Sequence, residues 1–292
     1  MSRQLRPVVI TGASRGFGAA LTRHFAGLGH DVAVCARNAS SLESLASELR
    51  DDLGVAVVTA PLDVTDAVAV GAFAALVAGE LGPSCAVVNN AGILGPVGPV
   101  DQIDITAWRR ALEVNVVGTV TVTAAFVPQL AAGGGGSIVN LSGAGIGGPD
   151  PLGGISAYAS SKGAVVTLTE ALAMELRGRR VRVNALAPGV LKTGFMDSVL
   201  EAEPGVVDER LHAIAAAVRP SGGSARVELD PNLAELISFL ISNESDWITG
   251  KLVSARWDSV ASLSTSRERL VRSSLLNVRR IDDNMFVEAE HR

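Results

Sequence analysis

The sequence predicts an α/β fold: a single Rossmann-like domain with a doubly wound parallel sheet of about seven strands and helices on both faces. Three observations carry that reading. Short β-branched runs alternate with longer helical stretches from the start of the chain to about residue 190, the rhythm of right-handed βαβ crossovers. Those at 55–60 and 85–89 are continuous apolar runs, as expected of strands buried on both faces. A glycine-rich turn follows the first of them.

Residues 8–11 form the first strand, and the turn after them opens a helical stretch ending at Gly29. Residues 31–36 are the second strand. Ser41 opens the next helix, which places Leu42, Leu45, Leu49 and Leu53 on one face. Residues 55–60 and 85–89 are strands three and four. A long helix then runs to the glycines at 133–136, which break it before the strand at 137–141. Residues 181–186 and 252–255 complete the set. Outside the rhythm lie an insert at about 194–230 and a tail after about residue 257. The domain is therefore read as 1–257, with 258–292 as a C-terminal extension.

Composition narrows the function. With 292 residues, 48% hydrophobic and 19% charged, the chain can bury a sizeable core and is not a disordered polymer. Its net charge of −5 argues against nucleic acid as a partner. Cys35 and Cys85 both sit in apolar runs and read as buried free thiols. No basic-then-apolar leader opens the sequence, so a reducing, cytoplasmic setting is expected. The apolar stretches 64–79 and 114–132 are interrupted by Asp66, Asn115, Pro128 and Gln129, so no membrane span is expected. His24, His30, His212 and His291 lack metal-ligand spacing, and no metal is expected.

Thr11-Gly12-Ala13-Ser14-Arg15-Gly16-Phe17-Gly18 joins the first strand to its helix. Glycines there let backbone approach a pyrophosphate whose charge faces a helix N-terminus. An acidic residue after strand two would bind the ribose hydroxyls of NAD. This chain has Ala36 and then Arg37, with Arg15 in the glycine turn. Two forked cations suit a 2′-phosphate, so NADP(H) is the expected cofactor. Further on, Tyr158 and Lys162 stand four residues apart on one helical face, and Tyr158 is the only tyrosine.

On these motifs the chain resembles a short-chain dehydrogenase/reductase of the compact type, over about residues 6–254. TGASRGFG at 11–18, Asp63-Val64, Asn89-Asn90-Ala91-Gly92, Asn115, the Tyr158/Lys162 pair and Pro188-Gly189 occur in that family's order. The resemblance implies strand order 3-2-1-4-5-6-7 and hydride transfer between nicotinamide and a small carbonyl or alcohol substrate. It implies that Asp63 and Val64 hold the adenine, and that Asn90, Ala91 and Gly92 line the cofactor cleft. Pro188, Gly189, Val190 and Thr193 would hold the nicotinamide carboxamide. Tyr158 would be the acid or base, Lys162 would hold the ribose and lower the phenol's pKa, and Asn115 would order a proton-relay water. Moving a phenol from about 10 to about 7 takes roughly 4 kcal/mol. One cation about 4 Å away at an effective dielectric of about 20 offers that much before desolvation.

The pattern departs at three places. The family sets a serine after strand five, where it bonds the reacting carbonyl. A gapless match puts Gly143 there and Ser142 one residue early, whereas counting back thirteen from Tyr158 lands on Gly145. Ser142 is taken as the functional serine, with Ser156 as fallback. The alternative is a catalytically silent NADP-binding scaffold or sensor. The tail, with Arg267, Arg269, Arg272, Arg279 and Arg280 against Glu268, reads as a solvated or subunit-contacting arm. The insert carries Phe195, Met196, Val199, Leu200 and Leu211, which would cap the site and select the substrate. Val116, Val117, Val120, Val122, Val165, Val166 and Leu168 exceed what one sheet face needs, so a homotetramer or at least a homodimer is expected.

Overall fold

The structure is a computed structural model that describes residues 5–143, 153–189, 193–203, 205–218 and 226–277. Seven strands are present among them: β1 (Val8–Thr11), β2 (Val32–Ala36), β3 (Val57–Pro61), β4 (Ala86–Asn89), β5 (Gly136–Leu141), β6 (Val181–Ala187) and β7 (Leu252–Ser254). All pair in parallel, in the order β3-β2-β1-β4-β5-β6-β7, as expected. Helices α1 (Gly16–Gly27), α2 (Ala39–Leu53) and α3 (Ala67–Glu80) alternate with the first four strands. α4 (Ile105–Leu112) and α5 (Gly118–Ala132) precede β5, and α6 (Ser156–Glu175) precedes β6. α7 (Asp197–Leu200), α8 (Glu209–Ala217) and α9 (Pro231–Ile241) fill the stretch before β7.

The period-two geometry of the strands splits the core into two layers. Val8, Ile10, Val32 and Val34 pack with Leu21 and Phe25 of α1, Leu42 and Leu45 of α2, and Leu236 and Leu240 of α9. Val9, Ala33, Val87 and Ile138 face the other way, onto Phe73 of α3 and Phe126 and Leu130 of α5. Both faces are covered, which is why β1, β2 and β4 carry almost no polar residues. Cys35 is buried and Cys85 half-buried, both free thiols, and burial pushes them up to about 12 and about 11.

Boundaries shift where caps decide them. α2 starts two residues before Ser41, because the Asn38 side chain accepts from Ser41 N at 2.9 Å. Leu42, Leu45 and Leu49 of its expected face are buried, while Leu53 is 46% exposed. The long helix is continuous from 105 to 132 but contains a π-helical turn at Glu113–Val117. By length and composition that helix could cross a membrane, which the sequence reading did not allow for. Here Val122, Phe126 and Leu130 are core residues of the second layer.

The tail docks as far as it is described. α10 (Val260–Thr265) and α11 (Arg267–Arg272) bury Leu263 and Leu270 in the layer that holds α9. Leu252 N donates to Leu276 O at 2.7 Å, so the tail returns to the free edge of β7. Lys251 Nζ donates to Ser273 O at 2.8 Å, Leu275 O at 3.0 Å and Asn277 Oδ1 at 2.8 Å. The Arg267 guanidinium lies 5.4 Å from the Trp247 ring centroid. Residues 259–277 are thus packed onto their own sheet edge, an arrangement that also protects that edge from pairing with another chain. Arg279 and Arg280 lie outside the described residues.

Candidate active site

One cleft of about 1440 Å³ runs along the C-terminal ends of the strands, where open α/β sheets bind ligands. At β1 the chain turns on Gly12, with φ +67°, and a Cβ there would stand 2.8 Å from Ala91 Cα. A Cβ on Gly18 would overlap Gly12 O. Only bare backbone fits. Asn90 locks the turn: its Nδ2 donates to Thr11 O at 2.8 Å and Gly12 O at 3.2 Å, while Asn90 N and Ala91 N donate to Thr11 Oγ1. Arg15 sits at the N-cap of α1 without a capping side-chain bond. The first amides of that helix therefore meet no capping side chain and border the cleft with Gly16, Phe17 and Gly18, a fit for a pyrophosphate.

Toward the outer end, Arg15 and Arg37 are exposed on the cleft wall with Ser14 nearby. Three lining residues there escaped sequence reasoning. Glu48 is gripped by Arg23, Nε to Oε1 at 2.8 Å and Nη2 to Oε2 at 2.7 Å, and also by Arg226. The Arg23 bonds, against some burial, hold the Glu48 carboxyl below its usual range. Arg226 stands 178 residues from Glu48 in the chain, so no local pattern could pair them. Asp63 accepts from Thr65 N at 3.0 Å, from Thr65 Oγ1 at 2.7 Å and from Arg110. Burial works against its charge, but these bonds outweigh it and keep the carboxyl below its ordinary range. One of its roughly four acceptor positions stays open toward the cleft. Val64 beside it lines the same wall.

At the inner end Tyr158 and Lys162 come from α6, one turn apart. Lys162 Nζ donates to Leu141 O at 2.7 Å and lies 5.7 Å from the phenol ring centroid. Burial pushes Tyr158 up to about 12 and pulls Lys162 down to about 8. In the protein alone, desolvation of the phenol exceeds what that ammonium returns. Asn115 sits in the π turn behind Gly92 and does not line the cleft. Its Oδ1 accepts from Ile93 N at 2.8 Å, and its Nδ2 donates to Ile93 O and Ser161 Oγ, both at 2.9 Å. Both amide hydrogens are spent on protein partners, leaving one acceptor lone pair for any water.

The serine question becomes geometric. A Cβ on Gly143 would overlap the Tyr158 hydroxyl, so position 143 faces the phenol directly. Ser142 is buried on the cleft wall, and its Oγ has no hydrogen-bond partner among the described residues. Ser156 Oγ accepts from Trp108 Nε1 at 3.2 Å. Gly145 and Val190 lie outside the described residues. Gly12, Ser14, Arg15, Gly16, Phe17, Gly18, Arg37, Asp63, Val64, Asn90, Ala91, Gly92, Ser142, Tyr158, Lys162, Pro188, Gly189 and Thr193 all line this cleft. The insert divides: Phe195 and Met196 line it, whereas Val199 and Leu211 are fully buried beneath. Phe195 stacks on Tyr158 with centroids 5.4 Å apart.

Known proteins share this arrangement. The profile of the short chain dehydrogenase family matches residues 6–204. The cis-4-hydroxycyclohexanecarboxylate dehydrogenase of Sinomonas cyclohexanicum is 34% identical over 248 residues, spanning 85% of this chain and 94% of that protein. Among solved structures, NAD+-bound xylitol dehydrogenase superposes with a TM-score of 0.74 at 29% identity, over 85% of this chain and 96% of its own. Levodione reductase gives 0.74 at 26%, over 86% and 96%.

Proposed function

The chain belongs to the short-chain dehydrogenase family, and we propose that it is an NADP(H)-dependent oxidoreductase in which Tyr158 exchanges a proton with a carbonyl or alcohol oxygen. As a member it is a nicotinamide-dependent oxidoreductase acting on alcohols or ketones. The observation that carries the finer reading is the single cleft running from Arg15 and Arg37 to Tyr158 and Lys162. When bound, the nicotinamide supplies or accepts the hydride and, oxidised, adds a positive charge near the phenol. Gly12 through Gly18 would hold the pyrophosphate, Asp63 and Val64 the adenine, and Lys162 the ribose. Ala91, Gly92, Pro188, Gly189 and Thr193 would line the nicotinamide, with Asn90 stiffening the turn beneath. Asn115 would fix the Gly92–Ile93 backbone from behind and leave a relay water one acceptor. In the cofactor-free protein a phenol near 12 is protonated at neutral pH and so carries the proton that carbonyl reduction needs.

The xylitol dehydrogenase structure contains NAD+, so the choice of NADP(H) rests on Arg15 and Arg37. Fluorescence titration is expected to show NADPH binding at least about tenfold tighter than NADH, since each charge-assisted contact contributes about 1.5–3 kcal/mol. Replacing both arginines with alanine should erase the difference. Equal affinities in the wild type would reject the arginine argument.

Ser142 would be the second donor to the carbonyl oxygen, because a buried hydroxyl without a partner is costly unless a ligand completes it. Ser142→Ala should slow turnover by about 10²–10³ with NADPH affinity intact. Gly143→Ser should also lower turnover, since its Cβ displaces the phenol oxygen. A silent Ser142→Ala would remove Ser142 from the site.

Self-association is the remaining reading. Val122, Val165 and Val166 are buried within the chain and contribute nothing to it, but Val117 and Val120 are 51% and 40% exposed. Light scattering at micromolar concentration should give a homodimer or homotetramer, and a monomer would contradict this.

A further inference from the structure

We infer that the substrate is a neutral ketone or secondary alcohol with a largely hydrocarbon body, alicyclic or branched, selected by Phe195; this rests on the oxidoreductase reading above. The catalytic phenol is walled by carbon. Phe195 covers one side of the Tyr158 ring, 5.4 Å between centroids with planes at 58°. Ile155, at the N-cap of α6, is 1% exposed and lines the cleft, as do Met196 of the Gly194–Met196 turn and Ile214 of α8. Three separate elements thus present apolar side chains to the same space. The wall is also anchored. Val199 and Leu211 are fully buried and pack with Leu94 and Ile155 in a small core of their own.

Among the described residues, the polar side chains at this end of the cleft are few. The Thr193 hydroxyl caps the turn by accepting from Phe195 N at 3.3 Å. Lys162 donates to Leu141 O. Ser142 Oγ is the free hydroxyl, enough for one carbonyl. Asp197 adds a carboxylate on the wall. A sugar-like ketone would carry several hydroxyls into this space, more than Asp197 and Ser142 can pair among the described residues, and each unpaired hydroxyl is costly. A carboxylate or phosphate on the substrate would meet Asp197. A hydrocarbon body meets Phe195, Met196, Ile155 and Ile214, and gains from every methylene it buries.

The test pairs turnover with binding. A series of cyclic ketones of growing alkyl size and polyhydroxylated ketones of equal carbon number are assayed with the wild-type enzyme and NADPH. The same ketones are then titrated into Tyr158→Phe enzyme holding NADPH, read by nicotinamide fluorescence, where binding is seen without turnover. The expected result is a rise in kcat/KM and in affinity of about fourfold per methylene until the space is filled. The hydrocarbon ketones should exceed the polyhydroxylated ones by about a hundredfold or more. Phe195→Asn should cut that preference by about tenfold or more. Apolar preference in binding without any wild-type turnover would sink the oxidoreductase reading and leave the pocket assignment standing. Equal or tighter binding of polyhydroxylated or carboxylate-bearing ketones would overturn the inference, whatever the turnover.

Discussion

Tyr158→Phe is expected to lower turnover by about 10²–10⁴ while leaving NADPH affinity close to that of the wild type. The substitution removes the transferable proton and keeps the ring that Phe195 packs against. The phenol oxygen it removes occupies the space that the missing side chain of Gly143 leaves open. No other tyrosine exists in the chain to take over. Single-turnover mixing of enzyme, reduced cofactor and ketone separates the chemical step from binding. A variant keeping more than about a tenth of the wild-type rate would show that the phenol is not the acid.

Lys162→Met is expected to abolish efficient turnover and yet stabilise the cofactor-free protein at neutral pH. Burial pulls this lysine from its ordinary 10.5 to about 8. Below pH 8 it is charged in both states, so the folded protein carries the full cost of a buried ammonium, roughly 3 kcal/mol. Between about 8 and 10.5 the unfolded chain binds the extra proton, so stability rises with pH, and above 10.5 the cost is gone. Losing the bond to Leu141 O returns about 1 kcal/mol of that gain. Denaturant titration should therefore show the variant about 2 kcal/mol more stable at pH 7, with the advantage shrinking toward pH 10. NADPH should stabilise the wild type more than the variant. A variant less stable than wild type at pH 7 would mean that Lys162 is not a strained functional group.

The sheet was legible because strands buried on both faces leave apolar runs such as 8–10, 32–36 and 86–88. The π turn at Glu113–Val117 was not, since its residues read as ordinary helix and only the backbone bond from Gly118 N to Glu113 O, five residues back, reveals the extra residue. Site residues carried by glycine turns and by the i,i+4 pair could be named in advance. The Glu48–Arg23–Arg226 cluster could not, because it forms between distant segments. Ser142 and Gly143 stayed ambiguous, since neighbours on a strand face opposite ways and the loop that follows sets which one reaches the site. The tail looked like a charged arm because arginines dominate it. Its docking signal was the quieter one, a single buried leucine in each of two short helices, Leu263 and Leu270.

The central claim, that Tyr158 and bound NADP(H) together reduce a carbonyl, is tested most directly by following the hydride. Wild-type enzyme is incubated with NADPH deuterated at the transferred position of nicotinamide C4 and an apolar cyclic ketone, and the product alcohol is weighed by mass spectrometry. The account predicts an alcohol carrying one deuterium on the former carbonyl carbon, with Tyr158→Phe enzyme forming almost none. Tight NADPH binding with no label in any alcohol across the ketone series would contradict it and mark the protein as a cofactor-binding scaffold.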